Sequence, residues 1–285
     1  MTSPAPGPFR TASIAVALAA STLLLCLPAS SQPGAGPNQA PAPAPAQLNP
    51  VLVELFTSEG CSDCPPADAV LAQLDTKGFP GAQVIVLSEH VTYWNHLGWA
   101  DPFSSPEWTS RQQVYAGVFG SGSVYTPQMV VDGATELVGS RGPEVRRKIE
   151  EAAGREKTPV TIAANGEETG GSRKFDVHVG KLAGAGWGDD AEVWLAVTES
   201  GLHSAVTRGE NAGEELRHAS VVRSLQKLGV ADKRNEASFT GQPGVHVSSS
   251  WKRGNVRVVV FVQEKKSRHI LGASVVPFAE SAATH

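Results

Sequence analysis

The chain has 285 residues, 41% of them hydrophobic, and a formal net charge of −4. This length and composition allow one or two globular domains with a sizeable core. The pI is near 6.1 and no dense run of lysine and arginine occurs. The charge pattern of a nucleic-acid-binding protein is therefore missing, and we expect partners that are proteins or small molecules.

Residues 1–31 have the pattern of a signal peptide. Arg10 precedes an apolar stretch from Thr11 to Leu27, and small residues follow up to Ser31. This order of charged, apolar and small residues is typical of an export signal that is later cleaved. The apolar stretch is shorter than the ~20 residues of a membrane-spanning helix. We expect a periplasmic or secreted mature chain with no stable membrane span.

Residues 32–49 are rich in proline, alanine and glycine, as in Ala40-Pro-Ala-Pro-Ala-Pro-Ala46. Such a segment buries too little apolar surface to offset the entropy lost on ordering. We therefore predict an extended linker, with the folded part beginning at residue 50.

Residues 50–156 read as an α/β domain. The apolar run Val51–Phe56 predicts a strand, and Pro65 and Pro66 suit the first turn of the helix that follows. The run Val84–Leu87 is apolar throughout, which is typical of a central parallel strand. A second helix is predicted from Pro106 to Phe119.

Three further segments complete this domain. The stretch from His90 to Phe103 is aromatic and irregular, and we interpret it as an insertion. Asp132-Gly133 lies between two extended runs and predicts a hairpin. Pro143 to Ala153 predicts an amphipathic helix. The order of these elements predicts a thioredoxin-like fold.

The second half, residues 157–280, changes character. Five β-branched, apolar runs alternate with glycine-rich and charged turns, which favours strands: 160–164, 175–179, 193–197, 256–263 and 270–276. A loop and a helix are expected between residues 208 and 227. The fold class predicted for the whole chain is an α/β thioredoxin-like domain followed by a small, mainly antiparallel β domain.

Cys61 and Cys64 are the two cysteines of the expected mature chain, three positions apart. A disulfide that closes so short a loop constrains the unfolded chain little. The spacing therefore favours a chemical role for the cysteines over a purely stabilising one. At a helix N-terminus the first thiol ionises more easily, which makes Cys61 the candidate nucleophile and Cys64 the resolving thiol. Half of a zinc site and a structural bridge have the same spacing.

Thr126 and Pro127 complete the candidate site. Thioredoxin-like folds place a cis proline at the start of the strand after the third helix, facing the cysteines. Pro127 precedes an apolar run and the Asp132-Gly133 turn in that order. A trans proline at the start of an edge strand is the alternative.

Several motifs resemble the exported, thioredoxin-like proteins grouped as domain-of-unknown-function family 1223. They are Glu54-Leu-Phe-Thr-Ser-Glu-Gly-Cys-Ser-Asp-Cys-Pro-Pro-Ala-Asp68, His90-Val-x-Tyr-Trp94, Leu97-Gly-Trp99-x-Asp-Pro-Phe103, Arg111-Gln112, Tyr125-Thr-Pro-Gln128, Arg208-Gly-Glu-Asn211, Val221-Val-Arg223 and Val262-Gln263. The resemblance spans nearly all of 51–276. It implies the fold and a redox centre but no substrate. Asp63 stands where a small residue is more usual in these proteins.

Accessory residues have two interpretations each. His90 follows a central strand and either serves the cysteines, as a base or a metal ligand, or only binds the insertion. Glu54 is either a proton relay or a satisfied structural carboxylate. The aromatic residues either line a groove for a substrate peptide or form a local core under the insertion; they are Tyr93, Trp94, Trp99, Phe103 and Trp108. Arg111 and Gln112 are expected to hold the insertion against the helix, and His96 is expected to be exposed. The second-half polar group is either a site or surface turn chemistry; it consists of Arg208, Glu210, Asn211 and His218.

Three functions remain open at this stage. The first is an exported thiol/disulfide oxidoreductase that exchanges with a protein client and needs no cofactor. The second is a copper- or zinc-binding module in which Cys61, Cys64 and His90 hold the ion. The third is a non-catalytic scaffold with a structural disulfide. The oligomeric state is not predicted.

Overall fold

The computed structural model describes residues 48–184 and 189–279. Of these residues, 42% lie in strands and 20% in helices. The three α-helices are α1 Pro65–Lys77, α2 Pro106–Phe119 and α3 Gly142–Ala153. The strands are β1 Asn49–Thr57, β2 Ala82–His90, β3 Gln128–Val131, β4 Thr135–Val138, β5 Val160–Thr169, β6 Ser172–Val179, β7 Ala191–Glu199, β8 Leu202–Ala205, β9 Glu215–His218, β10 Val221–Ala231, β11 Phe239–Gly241, β12 Gly244–His246, β13 Val256–Glu264 and β14 Ile270–Pro277.

One mixed sheet of eight strands organises the molecule, in the order β14-β13-β7-β10-β2-β1-β3-β4. β1 and β2 are parallel, whereas β3 runs antiparallel to β1. β10 joins the outer side of β2 through the pair Val221 and Ser88, and the amide of Ser88 donates to the carbonyl of Ser220 at 2.9 Å. Strands from both halves of the chain therefore share a single sheet.

The predicted fold class is wrong. The sequence predicted a thioredoxin-like α/β domain followed by a small β domain, but the described chain is mostly β and its largest sheet takes four strands from each half. The physical reason is the pairing of β10 with β2, which carries the sheet across the middle of the chain. Local sequence patterns identify strands, but they do not show which strands pair. The domain boundaries 50–156 and 157–280 stay a prediction.

Two smaller sheets complete the β structure. β5, β6, β11 and β12 form a four-stranded sheet, and β8 pairs with β9 as a hairpin. One hydrophobic core lies between the four-stranded sheet and strands β7 and β13, and includes Phe175, Val193 and Val260. A second core packs α1 and α3 against β1 and β3.

α1 begins as the sequence predicts. Pro65 and Pro66 occupy its first turn, where the missing N–H groups are not needed. Ala67, Leu71 and Leu74 are buried and fix the helix against the sheet. Because Cys64 is the N-cap residue, packing of α1 sets the position of the cysteine motif.

The predicted signal peptide, 1–31, and all but the end of the predicted linker, 32–49, lie outside the described residues. Within the described residues, no helix combines the length and the apolar character needed to cross a bilayer.

Candidate functional site

Cys61 and Cys64 form a disulfide, with their Cα atoms 5.4 Å apart. The pair lies between the end of β1 and the start of α1. A turn positions it: the amide of Cys61 donates to the carbonyl of Ser58 at 3.1 Å, and the amide of Cys64 donates to the carbonyl of Cys61 at 3.2 Å. α1 therefore begins directly after the disulfide, at Pro65, and the amides of Ala67 and Asp68 both donate to the Cys64 carbonyl.

The disulfide lies just below the protein surface. Cys61 is 1% exposed and Cys64 is fully buried, whereas Ser62 and Asp63 between them are exposed. Residues 208–214, here called the strap, lie against this motif. An incoming thiol therefore reaches Cys61 only after a local movement.

Two residues of the strap bind the motif directly. The Asn211 amide donates to the carbonyls of Glu59, at 2.8 Å, and Cys61, at 3.0 Å. The Glu210 carboxylate accepts from the Ser62 amide at 3.0 Å and from its hydroxyl at 2.8 Å. The sequence placed Glu210 and Asn211 in a separate polar group of the second half, and the structure brings them to the cysteines.

The bond between Thr126 and Pro127 is cis, as predicted. Pro127 directly precedes β3, and Gln128 is in register with Phe56 of β1, so the proline lies at the end of β1 that leads to the cysteines. The Trp94 indole N–H donates to the Thr126 hydroxyl at 2.8 Å. A Cβ on Gly60 would lie 3.0 Å from the Cβ of Trp94. Trp94 thus links Thr126 to the cysteine loop.

A buried cluster of two histidines and two acids lies beside the motif. His90 Nδ1 is 2.7 Å from Asp101 Oδ2, and His218 Nε2 is 2.9 Å from Glu59 Oε1. The two imidazole rings meet edge to face with centroids 4.7 Å apart. Phe103 packs against both. His90 from the first half and His218 from the second half are therefore neighbours.

Both acids in this cluster have further donors. The Trp99 indole N–H donates to Glu59 at 2.7 Å. Burial alone would raise the pKa of Asp101. The pKa is nevertheless lowered, because His90 and the amides of Glu59 and Phe103 stabilise the carboxylate more than burial destabilises it. Asp101 is therefore ionised at neutral pH and holds the insertion against β2.

Asp68 is a buried carboxyl one helical turn after Cys64, and its amide donates to the Cys64 carbonyl at 3.1 Å. Residues four apart lie on the same face of a helix. Burial raises the pKa of Asp68 to about 6, although His218 and the Thr57 hydroxyl lower it. One oxygen, Oδ1, has no hydrogen-bond partner. Asp68 therefore changes charge in the physiological range, close to the disulfide.

Sequence reasoning did not single out Glu59, Asp68 and Asp101 as site residues. A signal was present, because Glu59 and Asp68 flank the cysteines within one motif and the spacing of Cys64 and Asp68 places them on one helical face. Asp101 has no such local signal, since its partner His90 lies 11 residues away in an irregular segment.

The accessory residues mostly support structure. Arg111 pairs with Glu54 at 2.6 Å, so Glu54 is a satisfied buried carboxylate. The Gln112 amide donates to the carbonyl of Tyr125 at 2.7 Å. Trp108 lies in a core and Tyr93 packs beside another, while His96 is exposed. The aromatic residues therefore form a local packing layer around the insertion.

The metal-binding alternative has little support among the described residues. Cys61 and Cys64 are bonded to each other, so neither sulfur is a free thiolate ligand in this structure. Across residues 48–184 and 189–279, no group of three His, Cys, Asp or Glu side chains is arranged to hold an ion.

The fold and site define a mostly β protein with a mixed eight-stranded sheet and a Cys-x-x-Cys disulfide at a helix N-terminus. The chain belongs to the family described as protein of unknown function (DUF1223), whose model matches residues 52–263. No curated protein matches the chain.

Two solved structures are similar over most of this chain. Protein AGR_C_4864 from Agrobacterium tumefaciens is 27% identical, with a TM-score of 0.61, over 84% of this chain and 99% of its own. HBP35 of Porphyromonas gingivalis is 18% identical, with a TM-score of 0.61, over 84% of this chain and 78% of its own. The second likeness concerns the fold alone.

Proposed function

We propose that the protein is an exported thiol/disulfide oxidoreductase that uses Cys61 and Cys64. The observation that carries the proposal is a disulfide across three positions at the start of α1. A thiolate on Cys61 would lie at the N-terminal end of α1, where the helix dipole favours negative charge. The residues 1–31, with their export pattern, support a periplasmic or secreted location, where disulfides persist.

The proposed reaction is reversible exchange. A client thiolate attacks Cys61 Sγ, the bond between the cysteines breaks, and its electron pair leaves on Cys64 Sγ, which takes up a proton. Attack by a second client thiolate on the mixed disulfide then frees Cys61 as a thiolate and leaves the client oxidised. The reverse sequence oxidises the protein and reduces the client.

Thr126 and Pro127 are proposed to shape the surface on which a client segment rests. Their position at the end of β1, next to Trp94, supports this role. Thr126→Ala, which keeps the proline, would then weaken exchange with a peptide disulfide and leave reduction by a small thiol unchanged.

The second candidate is a non-catalytic scaffold with a structural disulfide. The burial of both cysteines favours it, because thiol exchange requires access.

Equilibration with glutathione separates the two candidates. A redox-active pair has a reduction potential above about −300 mV, whereas a structural bridge lies below it. Cys64→Ala should accumulate a mixed disulfide with glutathione at Cys61, detected by mass spectrometry. The matched control, Cys61→Ala, should accumulate less, because the remaining thiol is the more buried one. A potential well below that limit together with no glutathione adduct would rule out the oxidoreductase.

The proposed location has its own test. N-terminal sequencing of the protein from its native compartment should begin near residue 32, and an intact N-terminus in the cytoplasm would contradict export.

A further inference from the structure

The strap reaches the cysteine motif from the second half of the chain, 150 residues away along the sequence. It follows β8 and leads into β9. Two features hold its ends: the amide of Val206 donates to the carbonyl of Glu214 at 2.9 Å, and the amide of Gly213 donates to the carbonyl of Val206 at 2.8 Å. The strap is therefore a closed loop whose tip binds the backbone of the cysteine loop.

Asn211 is the buried anchor of this loop. Its side chain is 6% exposed, and its two bonds go to backbone carbonyls on either side of Gly60. His218, at the end of β9, binds Glu59 in the same turn. These contacts fix the strap beside the cysteine loop.

Glu210 makes a different kind of contact. Its side chain is exposed, and the Ser62 amide and hydroxyl that it accepts from keep its pKa below the ordinary value. Ser62 lies between the two cysteines. The solvent-exposed Glu210 carboxylate thus holds the strap to the N–H group of Ser62, the residue next to Cys61.

Reduction of the disulfide changes the charge of Cys61, the residue next to Ser62. When a dithiol reduces the protein, its two sulfurs form a cyclic disulfide, Cys64 Sγ becomes a thiol, and Cys61 Sγ becomes a thiolate that has released its proton to solvent. The thiolate is then one residue along the chain from Ser62, which binds the Glu210 carboxylate, and the two negative charges repel each other.

We propose that Glu210 is a redox-linked latch: it holds the strap against the cysteine loop in the oxidised protein and leaves Ser62 when Cys61 becomes a thiolate. Glu210 and Asn211 are positioning residues, since neither exchanges electrons. The proposal rests on the proposed function, because it needs a Cys61 that is reduced in the working cycle.

The first test measures the rate at which dithiothreitol reduces the disulfide. Glu210→Ala removes the latch at an exposed site and should speed reduction about tenfold. Asn211→Ala should have a similar or larger effect. Glu214→Ala, an exposed acid of the same strap, should stay within twofold of the wild type. Equal rates for Glu210→Ala and the wild type would overturn the latch, and thermal unfolding checks that each variant is folded.

The second test compares hydrogen exchange in the oxidised and reduced wild-type protein. The Ser62 amide and the strap amides should exchange at least fivefold faster after reduction, whereas β13 should be unchanged. In Glu210→Gln, which lacks the charge, reduction should alter strap exchange much less. Strap exchange that is the same in both redox states would overturn the proposal.

The two proposals fail in different ways. If the potential lies well below about −300 mV and Cys64→Ala forms no glutathione adduct, but Glu210→Ala still accelerates reduction by dithiothreitol, the oxidoreductase is wrong while the strap does control access. If exchange with glutathione is rapid and the strap variants behave as wild type, the latch alone is wrong.

Discussion

Arg111 and Glu54 form a buried ion pair that ties α2 to β1. The guanidinium lies 2.6 Å from the carboxylate, and both side chains are at most 5% exposed. Tyr115 donates to the same carboxylate at 2.5 Å. Glu89 lies 3.4 Å from Arg111, and burial, partly offset by Arg111, raises the pKa of Glu89 well above its ordinary value. Arg111 thus sits between two carboxyl groups in the centre of the fold.

Arg111→Met should therefore destabilise the protein by about 3–5 kcal/mol, because Glu54 is left charged and unpaired in the interior. Chemical denaturation measures this loss. The matched control is Arg147→Ala, which breaks an exposed pair with Glu151 and should cost about 0.5 kcal/mol or less. Similar losses for the two variants would contradict a buried role for Arg111.

Asp68→Asn should stabilise the protein in a pH-dependent way. The pKa of Asp68 is raised from 3.8 to about 6 by burial, so between these values the folded state binds more protons and wild-type stability falls as the pH rises. The side-chain amide of Asn in the variant stays neutral at every pH, so the variant does not lose this stability. Unfolding curves should coincide near pH 3 and differ by up to about 3 kcal/mol at pH 8.

A pH-independent difference would show that the substitution acts through packing. Asp63→Asn is the control for the loss of one carboxylate, since Asp63 is exposed on the same motif.

Gly133→Ala should destabilise the hairpin between β3 and β4. Gly133 has φ +62°, and an added Cβ would overlap the carbonyl oxygen of Arg268. Conformational strain and overpacking together should cost about 2–5 kcal/mol. Gly120→Ala, in the left-handed region with φ +69° and ψ +19° and with nothing within 4 Å, should cost only about 1 kcal/mol. Thermal unfolding of both variants isolates the steric part, and equal costs would contradict the close approach of Arg268.

Reduction of the disulfide should lower the free energy of unfolding by about 2 kcal/mol, the loop-entropy value for a loop of about four residues. Denaturation of the oxidised protein and of the double variant Cys61→Ser, Cys64→Ser measures it. A loss above about 5 kcal/mol, beyond the usual range for one bridge, would favour the structural scaffold over the oxidoreductase.

Local sequence signals predicted the local structure of the site. The helix from Pro106 to Phe119 was predicted with the bounds observed, because proline marks the start and Gly120 the end. The Cys-x-x-Cys motif lies between strand and helix as expected. The hairpin at Asp132 and Gly133 is also confirmed. Each of these features depends on residues a few positions apart.

Contacts between distant segments were not predictable in this way. Residues 208–227 were expected to hold a loop and a helix, but β9 and part of β10 lie there. Exposed and buried residues alternate along Glu215–His218, which is the period of a strand. Four residues are too few for this alternation to predict a strand from the sequence. No local sequence pattern indicates that Val221 pairs with Ser88 or that Asn211 binds Cys61. Sequence reasoning therefore assigned these residues to separate regions, although they are in contact in the fold.

The pairing of β2 with β10, here called the seam, has a consequence for any shortened form of the chain. The seam rests on the pair Val221 and Ser88, and it covers the outer edge of a buried, apolar strand. A fragment that stops after α3 would leave this edge with unsatisfied amide and carbonyl groups, which other extended segments can bind. Such a fragment should self-associate, and it would also lose the strap that binds the cysteine loop.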